Sequence, residues 1–262
     1  MNNFYKKIKK TIKNSSKASL TVYIILRILV IVCMIRELMI GNIENALLCI
    51  LSLILFLVPA TIEETFKIDF PTILEIIILL FIFSAEILGE IHNFYGIFEN
   101  FDDALHTLNG FLAASIGFSL VYLLNENSKN FKLSPIFVSL VAFSFSMTIG
   151  VAWEFFEYGM DNIFGMDMQK DEYVYNINTV TLDPEISNKV IKIDNIDKTV
   201  IYNDGNKTTL NGYLDIGLHD TMNDLIVNFI GAFVFSIFGY LYILNEKKYK
   251  IAGKFLTKKR NE

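Results

Sequence analysis

Long apolar runs alternate with short polar connections through most of this chain. An α-helix needs roughly 20 residues to cross about 30 Å of hydrocarbon. Six runs read as spans: Leu20–Ile40, Ala46–Pro59, Pro71–Glu90, Phe101–Leu124, Pro135–Tyr158 and Leu218–Leu244, of which the second is short. Lipid offers backbone groups no water, so spans of this kind are helices. The punctuation agrees. Asp69 and Ser134 precede regions where Pro71 and Pro135 take the first helical position, and Pro59 closes the second run. Gly110, Ala113, Ala114 and Gly117 recur at helical spacing in the fourth run, and Gly231 and Ala232 lie in the sixth. Small residues at such places let a neighbouring helix approach closely. The expected fold class is all-α, a polytopic transmembrane bundle of about six spans.

Between the fifth and sixth runs the pattern changes. Gly165 to about Gly217 is polar and acidic, with short β-branched runs at Val174–Thr181, Lys189–Ile193 and Thr199–Tyr202. Asp204-Gly205 is a hairpin turn signal. A small β-rich insertion of one or two hairpins is expected there. The Asn206-Lys-Thr triplet has the form of a glycosylation acceptor, which carries no weight in a chain of bacterial composition. The expected organisation is a basic tail over 1–19, five spans over 20–164, the insertion over 165–217, the sixth span over 218–244 and a basic tail over 245–262.

Composition fits that picture. Of the 262 residues, 53% are hydrophobic, and the mean hydropathy of +0.42 is too high for an ordinary soluble domain. The net charge of -5 says little, because charge is sorted along the chain. Lys6, Lys7, Lys9, Lys10, Lys13 and Lys17 precede the first run, and Lys129 and Lys132 follow the fourth. Lys247, Lys248, Lys250, Lys254, Lys258, Lys259 and Arg260 follow the sixth. With six spans these stretches share one side, while the connections at Gly41–Glu44 and His92–Asn100 contain no Lys or Arg. The positive-inside rule then places both termini in the cytoplasm, in a multi-pass protein of the bacterial plasma membrane, with the insertion outside. The N-terminus resembles the basic region of a signal peptide. The run after it is too long for one, and no small-residue cleavage site ends it. Cys33 and Cys49 fall within spans, where packing suits them better than a disulfide or a metal. The lipid bilayer is the expected partner, and no nucleic acid is.

The chemistry lies in the ionisable and amide residues that the apolar runs tolerate. Charge inside a bilayer is expensive, so such residues mark function by default. Glu86 and Glu90 end the third run, and Asp102, Asp103 and His106 begin the fourth. Glu154, Glu157 and Asp161 end the fifth; His219, Asp220, Asn223, Asp224 and Asn228 begin the sixth. The topology brings all four groups to the outer leaflet. Spacings of three and four residues recur in each, so each helix offers one polar stripe. The stripes are expected to face one cavity. Acids, imidazoles and carboxamides without Lys or Arg suit a cation rather than a bare phosphate.

Simpler readings stand beside this one. Asp102, Asp103, Asp220 and His219 lie in first helical turns, where acids satisfy free N–H groups. Glu86, Glu90, Glu154 and Glu157 lie near helix C-termini, where an acid opposes the dipole and capping explains nothing. Asn228 sits about 12 Å further along its helix than Asp220, and an interhelical hydrogen bond would account for it. His92 falls in a connection. Trp153, Phe155, Phe156 and Tyr158 read as an interfacial aromatic belt, and Arg36 with Glu37 can reach the interface. Arg27 lies inside the first span with no partner legible in the sequence. A phosphate-binding glycine loop, His-Glu-x-x-His, a nucleophile elbow and Cys-x-x-Cys are absent.

Three blocks carry a family resemblance: Asp103-Ala-Leu-His106 with Gly110, Trp153-Glu154-Phe-Phe-Glu157 through Met168-Gln169, and His219-Asp220-Thr221-Met-Asn-Asp224 with Asn228 and Gly231. They resemble the YjdF-type family of bacterial membrane proteins. More distantly, their order is similar to that of the VanZ-like family, which is linked to glycopeptide (teicoplanin) resistance. The resemblance covers spans four to six and implies the membrane architecture and the site rather than a reaction. The polar stretch after Gln169 departs from it as an insertion.

Two function classes follow. The first is metal-assisted chemistry on a lipid or cell-envelope precursor. A divalent cation would be held by Asp103, His106, His219, Asp220 and Asp224, with Glu157 as a further ligand or catalytic group and Glu154 as general base for bound water. Glu86, Glu90, Asp102, Asp161, Gln169, Asn223 and Asn228 would support it. The second class is a transporter or cation-binding protein using the same stripe, or an envelope protein whose polar network is structural. The inner halves Ile116–Leu124 and Phe233–Leu244 hold almost no ionisable groups, which favours a one-sided site over a conduit. Topology is open to test by labelling intact cells with an impermeant thiol reagent, in a background where Cys33 and Cys49 are serine. A cysteine at Asn206 should react and one at Lys258 should be protected. The reverse pattern would overturn the shared-side placement of the polar stripes.

Overall fold

The computed structural model describes residues 6–7, 12, 15–128 and 132–260. Lys9, Lys10, Lys13 and Lys129, counted above among the basic residues, lie outside the described residues. Among the described residues, six helices are long and apolar enough to cross a membrane. The chain divides into two compact units, one of residues 1–150 and 225–262, the other of residues 151–224.

In the first unit α1 (Lys17–Ile40) is capped by Ser16, whose hydroxyl accepts the Ser19 N–H. It ends at Gly41, whose φ of 82° is the left-handed conformation that only glycine adopts cheaply. Asn42 then caps α2 (Ile43–Leu55) by accepting the Asn45 N–H. The second span extends further than the apolar run suggests. Pro59 does not close it but sits in the first turn of α3 (Val58–Phe66), and the span covers Ile43–Phe66. A proline costs a helix no hydrogen bond in its first turn, where the N–H has no partner to lose. After β1 (Ile68–Asp69) comes α4 (Thr72–Phe83), continued by a π-helical stretch over Ser84–Ile91 that carries Glu86 and Glu90. The short α5 (Phe94–Ile97) leads into α6 (Phe101–Asn127).

Helix α7 (Pro135–Phe164) begins in the first unit and ends in the second, and α8 (Leu218–Leu244) does the reverse. In the first unit Val30, Cys49, Leu74, Phe118, Val138, Ala142, Ala232 and Phe235 belong to one buried apolar core, with Cys33 at its edge. Both cysteines are free thiols. Other faces of the same helices are apolar and open: Met39 is 82% exposed and Ile40 62%. Exposure of that kind along a span is a lipid-facing surface. Arg27 is answered within its own helix. It donates to the Tyr23 hydroxyl at 2.6 Å, and its guanidinium lies 5.3 Å from the Tyr23 ring centroid.

Residues 252–260 pack onto this core. A 3₁₀ turn at Ala252–Lys254 leads to β8 (Lys258–Lys259), which pairs antiparallel with β1. Phe255 packs against Phe111 and Phe235 at centroid distances of 5.1 and 6.0 Å. The Ser119 hydroxyl donates to the Phe255 carbonyl and accepts the Thr257 N–H. Arg260 completes the strap, with Nε 2.7 Å from Asp69 Oδ1, Nη1 2.7 Å from Glu64 Oε2 and Nη2 3.8 Å from Glu63 Oε2.

The second unit closes the polar stretch with three antiparallel pairs. These are β2 (Glu172–Val174) with β7 (Tyr213–Asp215), β3 (Ile177–Thr179) with β4 (Ile191–Ile193), and β5 (Thr199–Asn203) with β6 (Asn206–Leu210). Asp204 and Gly205 turn the last pair with φ of 48° and 79°, the two positive angles of a type I′ turn. Asp183 organises the loop after β3 by accepting N–H groups from Glu185, Ser187 and Lys189 and the Ser187 hydroxyl.

The strap makes a stability prediction. Arg260→Ala leaves Glu63 and Glu64 buried without their guanidinium and should cost about 2–4 kcal/mol. Phe255→Ala opens a cavity and should cost about 3 kcal/mol. Lys259→Ala, at an exposed position, should change stability by less than about 0.5 kcal/mol. Thermal unfolding in detergent reads all three, and equal effects at Arg260 and Lys259 would mean that the strap does not hold.

Candidate functional site

The fifth and sixth spans bring three acids together inside the second unit. Glu154 and Glu157 lie one turn apart on α7, and Asp224 lies on α8. One carboxylate oxygen of each lies within 4.8 Å of the others, and the three residues are 4%, 7% and 1% exposed. Trp153 donates its indole N–H to Glu157 Oε1 at 2.7 Å. The indole is therefore more than an aromatic belt residue. It fixes the rotamer of an acid one turn further on, while its ring remains 41% exposed. The helix continues to Phe164, so Glu154 and Glu157 do not occupy its last turn. The helix dipole does not oppose them there, because its effect fades within the terminal turn. What distinguishes them is burial beside a third acid.

Neighbouring polar residues set this geometry. Asp161 accepts the N–H groups of Met168 and Gln169 at 2.6 and 2.9 Å, turning the chain back after α7. Gln169 then donates its side-chain amide to the Thr221 hydroxyl. The Lys170 N–H donates to Asp220 Oδ2 at 2.8 Å. A Cβ on Gly217 would come within 2.6 Å of Gln169 Cβ, so only glycine lets the two segments touch. Residues 168–170 are thus fastened to the first turn of α8, one turn before Asp224. Asp161, Gln169 and Asp220 act here on backbone and hydroxyl partners.

His219 is a surface residue of its helix start. Its ring Nδ1 lies 3.3 Å from Asp215 Oδ2, and its side chain is 56% exposed. Asp215 also accepts the His219 N–H at 2.8 Å. Burial works against ionisation of Asp215, but both bonds from His219 outweigh it and hold the carboxyl below the usual aspartate range. Asn223, one residue before Asp224, is exposed.

The remaining predicted residues belong to the first unit. Asp102 and His106 pair along α6, with Nε2 3.6 Å from Oδ1, and Asp103 is half-buried beside them. Asn109 continues that stripe and was not singled out in the sequence, although it lies three residues after His106 on the same face. It donates to Asn228 Oδ1 at 3.2 Å, and Asn228 Nδ2 lies 3.6 Å from Met147 Sδ. Asn228 thus holds an interhelical polar node. Glycines make room for it: a Cβ on Gly110 would fall 2.1 Å from the Asn228 carbonyl oxygen, and one on Gly150 2.6 Å from Nδ2. Glu86 is half-buried and Glu90 exposed on the π-helical stretch. His92 is exposed and closes that stretch, with Nδ1 2.8 Å from the Ile87 carbonyl oxygen.

Buried, clustered carboxylate oxygens are hard ligands. Their mutual spacing fits oxygens shared by one Ca²⁺, Mg²⁺ or Mn²⁺, whose bonds run from about 2.0 to 2.6 Å.

A family model described as predicted membrane protein (DUF2238) matches residues 18–245. With most of its length matched, the chain belongs to that family of membrane proteins. No curated protein and no solved structure matches it.

The fastening of residues 168–170 predicts a local effect. Asp161→Ala removes the acceptor of two backbone N–H groups, each worth about 1.5 kcal/mol or more when the acceptor is charged. Amide hydrogen exchange at Met168 and Gln169 should accelerate by about tenfold or more, whereas Asp167→Ala, at an exposed position, should leave it unchanged. Equal protection in the two variants would remove Asp161 as the anchor.

Proposed function

We propose that this DUF2238 family member is a multi-pass protein of the bacterial plasma membrane, with both termini cytoplasmic, that binds a divalent cation through Glu157 and Asp224, with Glu154 beside it. The cation serves metal-assisted chemistry on a lipid or cell-envelope substrate. The observation that carries this reading is the convergence of three buried carboxylates, with ligand oxygens within 4.8 Å of one another. Glu157, oriented by Trp153, and Asp224 bind the ion. Glu154 would serve as general base, and the cation would supply a more acidic water. The resemblance to YjdF-type and VanZ-like proteins supports a role at the cell envelope.

A transporter reading would need a polar route along the spans. Two features weigh against it. The stretches 116–124 and 233–244 are almost free of ionisable groups. In the first unit, Phe255 and Thr257 fill the space beside Phe111, Ser119 and Phe235. A site used from one side fits both.

Linkage tests the cation. A ligand that binds only the folded state at 100 times its Kd stabilises it by about 2.7 kcal/mol. Thermal unfolding in detergent should therefore rise with Mg²⁺, Mn²⁺ or Ca²⁺ and fall with chelator. Asp224→Asn and Glu157→Gln should abolish the response; Glu154→Gln and His92→Ala should keep it. A wild-type protein that ignores both metal and chelator would reject the cation and leave carboxyl groups sharing protons as the account of the cluster.

A further inference from the structure

Helices α6 and α8 approach each other closely within the first unit. A Cβ on Gly231 would fall 1.9 Å from the Thr107 carbonyl oxygen, so only glycine permits the contact. Beside this seam runs a groove of about 540 Å³, within the range of small-molecule sites. Its lining is graded. Asn100 and Asp103 line it where α6 starts, and Leu108, Phe111 and Val234 line it further along. From Asp103 to Phe111 the helix rises about 12 Å. Both helices are membrane spans, so the apolar part of the groove lies against hydrocarbon and the acidic part at a span end. A molecule with one polar end and one long apolar end matches that gradient, and the bilayer supplies it.

The charge selects among lipids. The groove lining contains one acid, Asp103, and no Lys or Arg. A net anionic headgroup would meet this acid unfavourably, while an ammonium group would be drawn to it. We propose that the α6–α8 groove binds one acyl chain of an aminophospholipid, with the headgroup ammonium at Asp103 and the chain along Leu108, Phe111 and Val234. This deepens the envelope-substrate reading by naming a lipid class, and it does not require the cation.

The test uses purified full-length protein with chelator present throughout. The protein is incubated with equal amounts of phosphatidylethanolamine and phosphatidylglycerol of identical chains, and retained lipid is read by native mass spectrometry. Wild type should retain the ethanolamine lipid over the glycerol lipid by roughly fivefold, the scale of one exposed charge contact. Asp103→Asn should lose the preference while keeping total retention. Ala104→Trp places an indole in the groove from an exposed position and should lose both lipids. Val234→Trp does the same from the apolar end and serves where the first variant does not fold. Equal retention of the two lipids by wild type, or undiminished retention by a folded Trp variant, would overturn the proposal. Asp224→Asn should retain lipid as wild type does, so failure of the cation site and failure of the groove give different results.

Discussion

Hydrocarbon contains no hydrogen-bond donors or acceptors, so every polar side chain that a span carries must be answered by the protein or by something the protein binds. Most of the polar residues here are answered locally. Glu37, 2% exposed, pairs with Arg36 and accepts from Asn45. Arg27 uses the Tyr23 hydroxyl and ring. Asn228 meets Asn109 and Met147 where Gly110 and Gly150 let the helices close on it. Packing and polarity are one device at that crossing. Helices in lipid gain little from hydrophobic association, so close contact and a buried hydrogen bond together fix how they meet.

Glu154, Glu157 and Asp224 answer the same constraint differently. Like charges within about 5 Å of one another repel by roughly 3 kcal/mol per pair or more at an effective dielectric of 20. Three ionised acids at that spacing call for a compensating charge, and three protonated ones hold neutral hydrogen bonds instead. A cation at this cluster, as proposed, would supply that charge. Asn228, whose bonds are already made between neutral groups, calls for none.

Much of this was legible in the chain. The length of the apolar runs and the cost of unsatisfied backbone give six spans without any tertiary knowledge. The three- and four-residue spacing of Glu154 with Glu157, and of Asp220 with Asp224, placed each pair on one face. Other features were not legible, for stated reasons. Pro59 stops an apolar run but not a span, because a first-turn proline is compatible with the next helix. The strap around Phe255 and Arg260 reads in the sequence only as part of a basic cytoplasmic tail, since its partners Asp69, Glu63 and Glu64 lie some 190 residues earlier and no local pattern announces a two-residue strand. Asn109 could have been read from its place after His106. Its partner Asn228 could not, because the pairing depends on where two glycines bring the helices.

The acids of the second unit divide by what meets them rather than by residue type. Asp161, Asp183, Asp215 and Asp220 accept backbone N–H groups. Amides pointed at a carboxylate give its oxygens partners and fold the chain around it. Glu154, Glu157 and Asp224 face one another across two helices. The first group is spread along the connection between the spans and sets its path; the second is buried one turn beyond where that path is fastened. An insertion of polar, weakly paired strands can therefore be long without loosening the cluster, provided that Asp161 and Asp220 hold residues 168–170.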